Sequence, residues 1–380
     1  MGPPRVLVVH NRYRLEGGEE RSVELHLRAL REARVEHALL ERRSAEASRP
    51  GAAGALLRGG SRPTDVAAAV RLLDANVAHF HNLLPLVGPR GLAAARESGA
   101  RVVAHLHNLR LFCAIAVAAR DGGPCFRCHH RLTLPGFALN CRGSWPEAAV
   151  YAAALWRHQP ATIAAVDRFL VPSRYAAGQV AKLGLPAERV EVLPHYLPDE
   201  AFAERSSAAA GAYALVAARL SPEKGIDTAI EAAARASVPL RVAGEGPAGD
   251  ELAALARSRA APVELLGRLD RGGIRRELES AAMLLMPSRY HEFAGYAALE
   301  AAAAGVPVIA SSLGAPPELL GAERCVPPND ADALAARMAA LWEDPVRRER
   351  EGGELIARVR ERHGREPFTR ALLDLYERLG

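Results

Sequence analysis

Two glutamates, Glu292 and Glu300, are separated by seven residues in a stretch that reads as strand, loop and helix: Met286-Pro-Ser-Arg-Tyr-His-Glu-Phe-Ala-Gly-Tyr-Ala-Ala-Leu-Glu300. The backbone amides of Phe293, Ala294, Gly295 and Tyr296 fall at the expected helix start. Unpaired N–H groups and the helix dipole favour an anion there, such as a diphosphate. A carboxylate one or two turns further along, at Glu300, can accept both hydroxyls of a ribose joined to that diphosphate. Taken alone, the same spacing also fits a solvated helix start. A second pair of interest is Arg219 and Lys224, in the loop Ala218-Arg-Leu-Ser-Pro-Glu-Lys-Gly-Ile-Asp227 after a predicted strand. Two fixed cations at the carboxyl end of a strand could neutralise a leaving diphosphate. Lys224 stands out because the chain's only other lysine is Lys182. An ordinary charged surface turn is the alternative.

In the N-terminal half, Gly17 and Gly18 link the first predicted strand to a helix. Adjacent glycines remove Cβ atoms where a chain approaches a ligand closely, and the helix start suits phosphate, although Gly-Gly is also common in plain turns. The strand Val102-Val-Ala-His-Leu-His-Asn108 ends in polar groups, and His79 and His81 lie in the strand before it. Histidines at strand ends also occur as purely architectural groups. Cys113, Cys125, Cys128 and Cys141 lie close together, with Cys125 and Cys128 at the two-residue spacing of a zinc knuckle. Structural zinc, free or paired thiols, and a catalytic role all stay open. Cys325 reads as a packing residue.

The elements that must position these groups follow from hydrophobic patterning. Short apolar runs (6–9, 77–80, 102–105, 169–171, then 213–216, 240–242, 263–266, 283–286 and 306–309) alternate with helical patterns such as 22–31 and 228–235. Alternation of this kind predicts βαβ units and parallel sheets, hence an α/β fold. A soft Ala- and Ser-rich segment separates two such sets. The predicted organisation is an N-terminal domain 1–195 with a Cys-bearing insertion at about 109–145, a linker 196–211, a second domain 212–365, and a final helix 366–380. That helix packs on the second domain or crosses back to the first. The helical stretch 144–158, with Trp145, Tyr151 and Trp156, is either a core helix or an interfacial helix approaching a lipid-linked acceptor.

With 380 residues, 49% apolar and 24% charged, the chain is long enough for two cores and is neither disordered nor fibrous. The net charge of +5 is spread along the chain, which gives no basis for a nucleic-acid partner. Met1 to His10 lacks the cationic and apolar regions of a secretory leader, so the expected location is the cytoplasm. The apolar run near Ala148 to Trp156 is too short to span a bilayer. The oligomeric state is not legible.

The Glu292 to Glu300 segment closely resembles the Glu-x7-Glu signature of the retaining family-4 glycosyltransferases through Pro287, Ser288, Glu292, Gly295, Glu300, Ala301, Ala303, Gly305, Pro307, Val308 and Ile309. It departs by one extra residue before Glu292 and by Glu-Phe-Ala-Gly-Tyr in place of Glu-Gly-Phe-Gly. The Arg219 to Lys224 loop, Val242-Ala-Gly-Glu-Gly-Pro247, Leu265-Leu-Gly-Arg-Leu269 and the Gly17-Gly18 loop continue the resemblance, which covers about 5–325. It implies a GT-B fold, two Rossmann-like doubly wound domains facing a central cleft, with the donor held mainly by the second. It further implies retention of anomeric configuration without a catalytic metal, using a nucleotide diphosphate donor, a UDP-sugar before a GDP-sugar. By the same resemblance Arg219 and Lys224 bind the diphosphate, Glu292 orients the donor sugar, His107 contacts its hydroxyls and Glu300 holds the ribose. Gly244 and Leu269 contact the nucleotide, Leu269 at the base. The acceptor would be a hydroxyl of a glycan, a lipid-linked glycan or a natural product, with peripheral membrane contact as a corollary. A nucleotide-sugar epimerase or hydrolase, and a non-catalytic sugar-nucleotide-binding protein, are the alternatives.

Overall fold

The computed structural model describes residues 3–13 and 17–379. Its described residues form two compact units. One holds residues up to Ala118, Cys125–His195 and the chain from Glu366 onward; the other holds Ala119–Pro124 and Tyr196–Arg365.

The first unit is built on β1 (Arg5–Arg12), β2 (Glu36–Arg43), β3 (Val77–His81), β4 (Arg101–His105), β7 (Arg168–Val171) and β8 (Val190–Val192). A two-stranded hairpin, β5 (Ala119–Arg120) with β6 (Gly123–Pro124), belongs to the second unit, where Asn329 Nδ2 donates to the Gly122 carbonyl at 3.3 Å. All ladders of the six-stranded sheet are parallel, in the order β2-β1-β3-β4-β7-β8. The second sheet joins β9 (Tyr213–Ala217), β10 (Leu240–Ala243), β11 (Val263–Gly267), β12 (Ala281–Met286), β13 (Val308–Ser311) and β14 (Cys325–Val326) in the order β11-β10-β9-β12-β13-β14. Its ladders are parallel too. In each sheet the direction of winding reverses beside the first strand, between β1 and β3 and between β9 and β12. Loops leaving the carboxyl ends of those strands flank the crevice where open α/β sheets take ligands.

Central strands are apolar runs because helices cover both faces. Val6–Val9 and Ala281–Met286 are buried throughout. Strands β2, β8 and β14 carry no comparable apolar pattern and were not expected from the sequence. Strand β13 begins two residues later than its apolar run, after Pro307, which has no N–H for a ladder. The last helix, Arg365–Leu379, buries Phe368, Leu372, Leu375 and Tyr376, and from Glu366 it is part of the first unit. The Trp145–Ala165 helix buries Ala148, Ala152, Ala154 and Leu155, while Trp145 and Trp156 are 55% and 53% exposed. No helix among the described residues is long and apolar enough to cross a membrane.

Candidate functional site

In the second unit, the loop after β9 and the loop after β12 meet through charge. Lys224 Nζ lies 2.8 Å from Glu292 Oε1 and donates to the Tyr290 hydroxyl at 2.9 Å. Tyr290 donates to Glu292 Oε2 at 2.6 Å, and the Ser288 hydroxyl to Oε1 at 2.7 Å. Burial opposes the charge on both partners. It is outweighed on Glu292 by the ammonium and three hydrogen bonds, which hold the carboxyl below its usual range, and on Lys224 by the carboxylate, which raises the ammonium pKa. Burial and Glu292 push the Tyr290 phenol up, so it stays a donor. Tyr290 was missed from the sequence. It falls in the one-residue expansion between Ser288 and Glu292, and the unusual spacing was its signal.

Glycine lets these loops touch. A Cβ on Gly225, whose φ is +64°, would lie 2.0 Å from the Pro287 carbonyl oxygen. One on Gly244 would lie 1.8 Å from that of Ala218, because the β10 loop leans on the β9 loop. Arg219 is 56% exposed and is held by Glu223 at 2.8 Å and by Ser221 at 3.3 Å. Gly295, with φ of +94°, caps the helix Tyr296–Ala303, which carries Glu300 in its second turn; Phe293 is buried, and Ala294 and Tyr296 are half-buried. Leu269 is half-buried between β11 and the Arg271–Glu279 helix, packed on the core beneath.

His107 belongs to the first unit, at the end of β4. Gly17 caps the helix Gly18–Glu32, with its N–H donating to Glu20 Oε2 at 2.8 Å. Arg14, Leu15 and Glu16 of that loop lie outside the described residues. A cavity of about 30 Å³ is lined by Glu19, His107, Asn108 and Arg110 among others. Asn108 Nδ2 donates to Glu19 Oε2 at 3.3 Å, and burial pushes the Glu19 carboxyl up to about 8. Glu19 was missed, because next to Glu20 at a helix start it reads as an ordinary first-turn acid.

The four clustered cysteines form no disulfide. Burial, then Cys113, push the Cys128 thiol up to about 11, so the sulfurs sense one another. They are not among the groups whose donor atoms lie within 4.8 Å of each other. Among the described residues those are two histidine triads, His26, His79, His81 and His81, His105, His107.

Comparison with known proteins bears on both units. The family described as Glycosyltransferase Family 4 matches residues 16–200, and Glycosyl transferases group 1 matches residues 199–354. The chain belongs to the family-4 glycosyltransferases. Among relatives of this family-4 member, a GDP-mannose-dependent monoacylated alpha-(1-6)-phosphatidylinositol monomannoside mannosyltransferase of Corynebacterium glutamicum is 36% identical over 143 residues, 34% of this chain and 38% of that protein. A glycogen synthase of Mycobacterium tuberculosis is 34% identical over 159 residues, 39% of this chain and 38% of that protein. The matched part of the chain thus spans about 38% of either relative's length. In fold it is similar to a sucrose-phosphate synthase from Thermosynechococcus elongatus, with a TM-score of 0.74 at 19% identity over 99% of both chains. It is also similar to Anabaena HepE in complex with UDP and glucose, with a TM-score of 0.67 at 14% identity over 98% of this chain and 99% of that one. The fold is GT-B, two Rossmann-like doubly wound domains.

Proposed function

We propose that the protein is a retaining glycosyltransferase that moves a sugar from a nucleotide diphosphate donor, UDP-linked in the first instance, to an acceptor hydroxyl of a glycan, a lipid-linked glycan or a natural product. The observation that carries this reading is the Lys224–Glu292 pair at the winding reversal of the second sheet, in a member of this family. Arg219 and Lys224 stabilise the departing diphosphate, so catalysis is electrostatic and positional. The leaving phosphate takes the acceptor proton on the same face of the sugar, and no catalytic metal is required. Glu292 both holds Lys224 and orients the donor sugar; Glu300 holds the ribose. Gly244, Leu269 and the Phe293–Tyr296 backbone frame the nucleotide. Gly17, Gly18 and His107 face the sugar and acceptor.

UDP is favoured because a structural neighbour was solved with it, and GDP stands as the alternative because a relative is GDP-mannose-dependent. We also propose that a lipid-linked acceptor brings the Trp145–Ala165 helix to a membrane surface. Its two exposed tryptophans are eleven residues apart, three turns and thus one face, and Arg131 stacks on Trp156 at 4.8 Å. The decisive experiment incubates the protein with UDP- and GDP-sugars, with and without acceptor mixtures, and follows products by mass spectrometry. Acceptor-dependent release of nucleoside diphosphate with an α-linked product supports transfer. Free sugar or an epimer from donor alone identifies a hydrolase or an epimerase.

A further inference from the structure

The first unit holds a chain of five hydrogen-bonding side chains. His107 Nε2 lies 2.9 Å from His81 Nδ1, and His81 Nε2 lies 2.9 Å from His26 Nδ1. His26 Nε2 is 2.8 Å from the Tyr376 hydroxyl, which is 2.6 Å from His79 Nδ1. The chain links the loop after β4, β3, the Gly18–Glu32 helix and the last helix. His79 and His81 are 0% exposed, and His26 and Tyr376 no more than 2%. Only two ring nitrogens in it are buried without a partner, His107 Nδ1 at one end and His79 Nε2 at the other. Burial holds all four imidazoles below their ordinary pKa, so each carries one N–H.

Proton counting leaves two arrangements that satisfy every link head to tail. Either all four histidines carry the proton on Nε2, which strands an unpaired N–H at His79, or all four carry it on Nδ1, which places the free N–H at His107. A buried N–H without an acceptor is costly, and His79 is sealed. His107 Nδ1 is closed to solvent as well, but its half-buried ring lines the cavity shared with Glu19 and Asn108, where a ligand oxygen can accept from it, whereas His79 does not line that cavity. The all-Nδ1 arrangement therefore wins. A metal ion is a poor competitor here, since the inner nitrogens are spent on one another and the chain contains no anion to balance a buried divalent charge.

We infer that His81, His26 and Tyr376 are positioning residues that hold His107 in the Nδ1–H form, so that the last helix of the chain sets it as a hydrogen-bond donor toward an oxygen of the bound sugar. This rests on the sugar contact proposed for His107. Tyr376 is the relay to the sealed end: its oxygen accepts from His79 Nδ1–H, which commits its single proton to His26 Nε2.

The test is nitrogen NMR of the full-length protein labelled with 15N in the histidine rings, at pH 7.5, with His26, His79, His81 and His107 assigned by single substitutions. The expected result is a protonated Nδ1 and a bare Nε2 at all four. In Tyr376→Phe the His107 signals should show both tautomers, and kcat/KM for the donor should fall about fivefold with UDP affinity unchanged. Protonated Nε2 at these rings, or a His107 spectrum unmoved by Tyr376→Phe, overturns the inference. So does about one transition metal per chain bound to them in protein purified without added metal. Unaltered sugar transfer by His107→Ala, with the four tautomers as expected, removes the sugar contact and not the chain.

Discussion

In the second unit a buried carboxylate, Glu292, is answered by the ammonium of Lys224 and by two hydroxyls. In the first unit buried imidazoles are answered by other imidazoles and one phenol: the rings of His79 and His81 stack at 4.7 Å, those of His105 and His107 at 4.4 Å, and those of His107 and His195 at 5.6 Å. The two solutions cost differently and serve differently. An ion pair must overcome the desolvation of both charges, and in return it keeps a cation that an incoming diphosphate can share. A neutral chain avoids that cost, but it can only direct hydrogen bonds. On the proposed function, the second unit handles charge and the first handles orientation. The histidines are distributed accordingly, all of them in the first unit except His291 and His363.

Acid should break this symmetry most strongly. Burial lowers the pKa of His10, His26, His79, His81, His105 and His107, with His26 and His105 at about 3. In the unfolded chain a histidine takes up its proton near 6.5, whereas these stay neutral, so their contribution is present above that value and is lost as pH falls toward their folded pKa. Each costs about 1.4 kcal/mol per pH unit in that window. Calorimetry from pH 7.5 to 5 should show the transition of the first unit falling steeply and that of the second falling little. Parallel shifts would remove the contrast.

Removing the cation of the second unit comes next. Lys224→Ala should reduce turnover about a hundredfold, roughly 3 kcal/mol, and should leave Glu292 buried without its charge partner. Near-native rates with a verified donor would take the diphosphate role away from Lys224. Glu300→Ala should weaken UDP binding about tenfold by calorimetry, because a hydrogen bond to a charged group is worth about 1.5–3 kcal/mol, whereas Glu292→Ala should spare affinity for UDP and impair transfer. The smallest effect belongs to the outer face of the first unit. Trp145→Ser with Trp156→Ser should change stability by only about 0.5 kcal/mol and abolish co-sedimentation with vesicles containing anionic lipid. Undiminished co-sedimentation would clear that face of any membrane role.

Much of the second unit was legible in advance because its chemistry is local in sequence. Glu292, Glu300 and the cap at Gly295 lie on one strand-loop-helix segment, and Arg219 and Lys224 on one loop, so spacing and turn chemistry fix the relations within each. The alternation of apolar runs likewise determined two parallel α/β sheets. What the sequence could not supply was the meeting of the segments: Lys224 reaches Glu292 across 68 residues because β9 and β12 are neighbours in the sheet. Tyr290 gains its role from that meeting. The first unit shows the limit more plainly. His81, His26 and Tyr376 are scattered over 350 positions, and each alone reads as a polar residue on an apolar face. Local patterning determined that these faces are buried. Only the return of the last helix to the first unit decided which polar groups would meet there, because a buried side chain takes its partners from whatever element packs opposite, and that is set by the path of the whole chain.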